Sequence, residues 1–330
     1  MTAPITRVTV AVIAFLVLAP FVSEAQPAAK APRVGWLSDG VRAASHPSLY
    51  EAFVQGLRDL GYVETQTIII ERRDAGGKTE RLDRLAAELV SHNVNVVVAT
   101  SGAAALAAKR ATTSIPIVMA EAGDPVAIGL VASLGRPGGN VTGLSVMDPE
   151  IAAKRMQLLK EIAPRVSHIA VLYHPPFPAT VVAVNEARAA ATRLGLSVIP
   201  MEVLSADRFE EAFNTAIRQR ADALLTSGDP FSHRHQRTII DLAAKHRLPA
   251  AYVLRDSAEA GGLLAHGPSL PAMYRRAAVF VDKILKGAQP RDLPVELPTK
   301  FELVINLRTA SVLGLTIQPS VLGRADRVIE

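Results

Sequence analysis

Beyond residue 32 the chain alternates two hydrophobic patterns: short, continuous, β-branched runs and longer stretches whose apolar positions recur every three or four residues. The first pattern predicts strands buried on both faces, and the second predicts amphipathic helices. Strands are expected at 33–38, 67–72, 95–99, 115–120 and 140–146. Helices are expected between them at 47–60, 79–92 and 103–111, with one more from Pro125 through 128–134. Leu49, Phe53, Leu57 and Leu60 share one helical face, and Gly61 follows as a C-cap.

The alternation then restarts. Helices are predicted at 154–163, 180–194 and 233–246, and strands at 167–173, 197–203, 221–226 and 249–253. Asp207 and Glu210 read as a capping box ahead of Phe209, Phe213 and Ile217. Two series of strand and helix of similar length predict two doubly wound lobes with parallel sheets. A strand-like run at 262–266, a strong amphipathic helix at 270–285, an extended Pro-rich stretch at 289–298 and a final strand at 301–306 are too little for a third domain. The chain is therefore expected to cross between the lobes three times, with hinges near 146–148, 264–267 and 293–298. The expected division is residues 33–147 plus 265–293 for the N-terminal lobe, and 148–264 plus 294–330 for the C-terminal lobe.

Residues 8–22 form an apolar run after Arg7, and Ser23-Glu24-Ala25 follows with small residues where a signal peptidase cuts. This is the layout of a secretory signal spanning residues 1–25, cleaved after Ala25. A retained N-terminal anchor is the alternative, although the run is short for a span and a polar segment follows. No cysteine follows the run, so no lipoprotein is expected and the mature protein is expected in the periplasm. The chain has no cysteine at all, which excludes thiol catalysis and thiolate metal sites. A formal net charge of +5 with interspersed signs, together with few aromatics, gives no nucleic-acid footprint.

Parallel sheets bind ligands beyond the carboxyl ends of their strands. The residues found there are Ser38-Asp39, Thr100-Ser101-Gly102, Gly123-Asp124, His174, Gly228-Asp229 and Tyr252. The small first turn after Thr100 can present N–H groups to a carboxylate, and Asp124 or Asp229 can face an ammonium. Such a set suits a zwitterion. The same residues are also ordinary helix caps and turn formers. No GxSxG elbow, phosphate loop or metal-ligand spacing is present, so neither an enzyme nor a cofactor is expected.

Several motifs together carry a family likeness. They are Phe53-Val54-Gln55-Gly56-Leu57-Arg58-Asp59-Leu60-Gly61-Tyr62, Ile115-Pro116-Ile117-Val118 with Gly123-Asp124-Pro125-Val126, Gly135-Arg136-Pro137-Gly138-Gly139-Asn140, and Pro298-Thr299-Lys300-Phe301-Glu302-Leu303-Val304-Ile305-Asn306. Across essentially the whole mature chain the sequence resembles the ABC-transporter substrate-binding proteins of the tryptophan/tyrosine type. The resemblance implies a type I periplasmic-binding fold, no catalysis, and a small-molecule ligand such as an amino acid or related carboxylate. It also implies an ABC permease with its ATPase as partner, and a monomer. It places Thr100, Ser101, Asp124, Asp229 and Tyr252 at the ligand. Ala265-His266 stands where relatives often carry Ser-Tyr, and His174 where Asn is common; His266 and His174 belong to the candidate set as well. A periplasmic sensor without a transport role fits the same features, and an enzyme on this scaffold is a more distant alternative.

Overall fold

The strands of the first half are β1 (Arg33–Ser38), β2 (Ile69–Asp74), β3 (Val96–Ala99), β4 (Ile117–Met119) and β5 (Val141–Gly143). They form one parallel sheet in the order β2-β1-β3-β4-β5. Alternate side chains feed opposite layers: Val34 and Trp36 of β1 point to one apolar core, and Leu37 to the other. Helix α1 (Pro47–Asp59) covers the first face. Helices α2 (Leu82–Ser91) and α3 (Gly102–Ala111) cover the second. The computed structural model describes residues 31–40, 47–146, 149–175 and 178–330. The expected signal segment at 1–25 and the hinge residue Asp148 lie outside these.

The second half repeats the plan. Helix α4 (Pro149–Ile162) leads into β6 (His168–Tyr173), followed by α5 (Pro178–Arg193), β7 (Ser197–Glu202), α6 (Phe209–Arg218) and β8 (Ala223–Thr226). Then come α7 (Pro230–Arg234), α8 (Gln236–Lys245), β9 (Ala250–Tyr252), α9 (Arg255–Glu259) and β10 (Leu264–Pro268). Helix α10 (Leu270–Leu285) precedes β11 (Phe301–Asn306), α11 (Leu307–Leu313), α12 (Pro319–Leu322) and β12 (Arg327–Ile329). The second sheet runs β12-β11-β10-β9-β8-β6-β7. One of its faces packs on α4 and α5, and the other on α6 and α8.

The chain passes between the sheets three times, always at their carboxyl edges. It leaves β5 for α4. It leaves β10 for α10, which returns to pack with α1 in the first lobe through Met273, Tyr274, Phe280 and Ile284. It leaves the first lobe again after Glu296, whose backbone pairs with Leu144 and Ser145, and enters β11. Three connections at one edge make the two carboxyl edges face each other. Leu254, just past β9, packs among first-lobe residues on the hinge side. The architecture is therefore the two-lobe α/β arrangement that the sequence predicts.

Several local expectations are corrected. No helix forms at 128–134. The Asp124 carboxylate accepts from the Val126 and Ala127 N–H groups, and the Pro125 carbonyl receives both Leu130 and Val131, which closes a series of turns instead. The capping box does not form: Asp207 accepts from the Ser205 hydroxyl, and α6 begins without a side-chain cap. The helix expected at 233–246 starts earlier and breaks at His235 into α7 and α8. Strand β11 is not the last element. It runs antiparallel to β10, and β12 extends the sheet beyond it.

Candidate functional site

On the first-lobe edge, Ser38 ends β1, Asp39 follows it, and both are buried. The Ser38 hydroxyl accepts from Gly40 N–H at 3.0 Å, and the Asp39 carbonyl from Gly77 N–H at 2.8 Å. One strand over, Ser101 caps α3, its hydroxyl accepting from Ala104 N–H at 3.2 Å. That leaves the N–H groups of Gly102 and Ala103, which no helix satisfies internally, at the start of α3. The Tyr274 hydroxyl of α10 donates to the Thr100 carbonyl at 3.2 Å and ties this corner to the returning helix. The β1 and β3 strand ends are neighbours in the sheet, so Ser38, Asp39, Thr100, Ser101 and Gly102 form one continuous lip.

Asp124 stands on the same edge, with its Oδ1 engaged by two N–H groups of the following turn, at 3.0 Å each. Two further polar residues of this edge escape the sequence reading. Glu121, after β4, is only 5 % exposed, and Ser145, after β5, is fully buried with its hydroxyl donating to the Gly123 carbonyl at 2.6 Å. Nothing in local pattern marks them, because both sit in runs that read as ordinary strand ends.

On the second-lobe edge, His174 is stacked on Phe231 with ring centroids 4.0 Å apart, and Phe231 stacks in turn on Phe209. Its Nδ1 meets the Val203 carbonyl at 2.7 Å, and since a carbonyl only accepts, Nδ1 carries the proton. Asp229 caps α7 with both oxygens. Oδ1 accepts from Ser232 N–H at 2.9 Å, and Oδ2 accepts from the Ser227 and Ser232 hydroxyls at 2.6 Å each. Tyr252 points into the core beside Ile239 and Phe209, and burial pushes its phenol well above the ordinary range. A Cβ on Gly262 would lie 2.6 Å from the tyrosine ring, so the ring fills the place of a side chain there. Thr226, Ser227, Gly228, Tyr252 and Val253 border a cavity of about 20 Å³, room for a single water.

His266 lies on the α4 face of the sheet, one residue from the Ala265–Tyr252 pair. Its Nδ1 is buried without a hydrogen-bond partner. Burial lowers its pKa, the nearby charges of Arg155 and Lys154 add to the effect, and the Glu302 carbonyl opposes it. Arg155 itself was missed by the sequence reading, although a signal exists. It falls on the buried stripe of α4 (Ile151, Arg155, Leu158, Leu159, Ile162), where the period calls for an aliphatic residue.

The structure thus gathers the first-lobe candidates on one lip. It sets His174 and Asp229 as polar structural groups on the other, turns Tyr252 away, and leaves His266 beside a buried cation. Among the described residues no cluster of His, Asp and Glu is arranged to hold a metal ion. The first-lobe lip thus carries hydroxyls, N–H groups and carboxylates, which is chemistry for holding a small polar molecule.

The profile of a family described as ABC transporter substrate binding protein matches residues 41–329. The chain belongs to that family. Its members bind substrates rather than transform them, so the protein is not an enzyme. A tyrosine-binding protein of Clostridioides difficile (strain R20291) is 27% identical over 273 residues, which cover 82% of this chain and 78% of that protein. The crystal structure of an ABC domain from Streptococcus pneumoniae, in complex with L-Trp, superposes with a TM-score of 0.80 at 30% identity, covering 90% of this chain and 99% of that one. A leucine-binding protein from Thermotoga maritima shares the fold at 17% identity and a TM-score of 0.58, over 77% of this chain and 83% of its own. Among the described residues no helix is long and apolar enough to cross a membrane.

Proposed function

We propose that the protein is the exported solute receptor of an ABC import system and that it captures an aromatic amino acid, L-Trp or L-Tyr, between its lobes. The observation that carries this reading is the structural relative with L-Trp bound, whose fold matches along nearly its whole length. The tyrosine-binding relative supports the same ligand class. The ligand rests on the first-lobe lip of Ser38, Asp39, Thr100, Ser101 and Gly102, and the second lobe folds over it. A ligand that touches both lobes gains its full binding energy only in the closed state, so it shifts the hinge equilibrium toward closure. A permease with its ATPase then receives the ligand from the closed receptor, which works as a monomer. The apolar run at 8–22 and the small residues before Gln26 support export and cleavage after Ala25.

Isothermal titration calorimetry of the purified protein against L-Trp, L-Tyr, L-Leu and L-Glu tests the ligand. A saturable one-to-one isotherm is expected with L-Trp or L-Tyr, and none with L-Glu. Heat with L-Leu or L-Glu but with neither aromatic amino acid overturns the assignment.

A further inference from the structure

The second lobe carries a cation that its fold does not use. Arg155 is 6 % exposed, yet it sits on the core stripe of α4, where its neighbours are aliphatic. One of its five N–H donors is engaged: Nη1 donates to the Thr226 carbonyl at 2.6 Å. Nε is buried without a partner, and among the described residues Nη2 makes no hydrogen bond and no carboxylate pairs with the guanidinium. Burial lowers its pKa only to about 10, so it stays charged at neutral pH. A buried, unpaired charge is strongly unfavourable, and folds that keep one supply a counter-ion.

The position of the group indicates what the counter-ion is. Thr226 is the last residue of β8, so the guanidinium lies at the carboxyl edge that faces the first lobe. Helix α4 enters the lobe from that edge, and Arg155 is on its second turn. With Nη1 committed to Thr226, the free side of the fork is the Nε–Nη2 edge. That edge takes a carboxylate side-on through two parallel N–H bonds. His266 Nδ1, also without a partner, lies on the same face of the sheet and feels the charge of Arg155. The Nε and Nη2 donors of Arg155 find no acceptor in the chain and call for one from outside it.

We propose that the Nε–Nη2 edge of Arg155 is the second lobe's receptor for the α-carboxylate of the ligand. The inference rests on the reading of the ligand as an amino acid and goes further, since it makes a free carboxylate the required feature. The N–H groups of Gly102 and Ala103 approach the cleft from the opposite lip, and a carboxylate has acceptor sites for both grips. Amides, esters and amines of the same side chain lack the charge that Arg155 answers.

Calorimetry of the wild type, Arg155→Met and Arg155→Gln against L-Trp, L-tryptophanamide and tryptamine tests it, with L-Tyr as a second ligand. The wild type is expected to prefer L-Trp to its amide by about 100-fold, the scale for truncating a buried charge partner. In Arg155→Met that preference falls to within about 3-fold, through loss of L-Trp affinity and not through gain for the amide. Arg155→Gln keeps a donor for the Thr226 carbonyl, so it reads the same loss if the methionine variant does not fold. A variant that retains the full preference for L-Trp overturns the inference alone, as does a wild type that binds acid and amide equally. A wild type that binds neither L-Trp nor L-Tyr overturns the aromatic-ligand reading and this inference with it.

Discussion

Replacing Gly143 by alanine is expected to destabilise the protein by about 3–5 kcal/mol, the sum of left-handed backbone strain and overpacking against an immovable neighbour. Gly143 ends β5 at φ +129°. A Cβ there would lie 2.2 Å from the Met119 carbonyl oxygen and 2.5 Å from the Met119 nitrogen. Met119 is its register partner on β4, so the clash is with a strand backbone and not with a side chain that can rotate away. The next residues, Leu144 and Ser145, pair with Glu296 on the returning crossover, so a shift of β5 would disturb two of the three lobe connections. Urea unfolding read by circular dichroism measures the effect. Gly123→Ala serves as the control. Its Cβ would meet nothing within 4 Å, and a change within about 0.5 kcal/mol is expected. Equal midpoints for the two variants would contradict the packing described at β5.

The second large effect concerns Asp229. Its carboxylate accepts three hydrogen bonds, from one backbone N–H and two serine hydroxyls, in a buried corner. Asp229→Ala removes a helix cap and leaves the Ser232 hydroxyl without its acceptor, while Ser227 keeps the Leu172 carbonyl, for an expected loss of about 2–4 kcal/mol. Asp229→Asn keeps an acceptor oxygen for the cap and is expected to recover a large part of that loss. Both oxygens are committed to the lobe, so the asparagine variant is also expected to bind L-Trp within about 3-fold of the wild type. Thermal unfolding and calorimetry on the two variants separate the roles. A stable asparagine variant with binding abolished would make Asp229 a ligand contact in place of a cap.

The outline of the fold was legible in the sequence because strands buried on both faces are written as uninterrupted apolar runs. Val96–Ala99 and the core of His168–Tyr173 stand out for that reason. Helix ends were legible where glycine permits the left-handed turn, as at Gly61, Gly195 and Gly287, all with positive φ. Segments whose shape is fixed by distant partners were not legible. The stretch after Pro125 has helical spacing but is held as turns by its own carboxylate and by Pro125. Strand β12 is three residues long and exists only because β11 offers an edge.

The site divides along the same line. The place of Ser38, Asp39 and Thr100–Gly102 on the first-lobe edge follows from strand ends alone. Tyr252 could not, because a residue at a strand end can face either layer, and here the small Gly262 draws its ring into the core. Asp124 and Asp229 illustrate the ambiguity of capping residues: position marks them as candidates, and hydrogen bonds then assign them to turns. Arg155 was hidden by the opposite bias, since surface charge is the ordinary expectation for an arginine on a helix.

Small-angle X-ray scattering of the protein alone and with saturating L-Trp measures hinge closure directly. The account predicts a smaller radius of gyration in the bound state, reached with the same concentration dependence as the calorimetric isotherm. L-Trp that saturates the protein while leaving the scattering curve unchanged would contradict it.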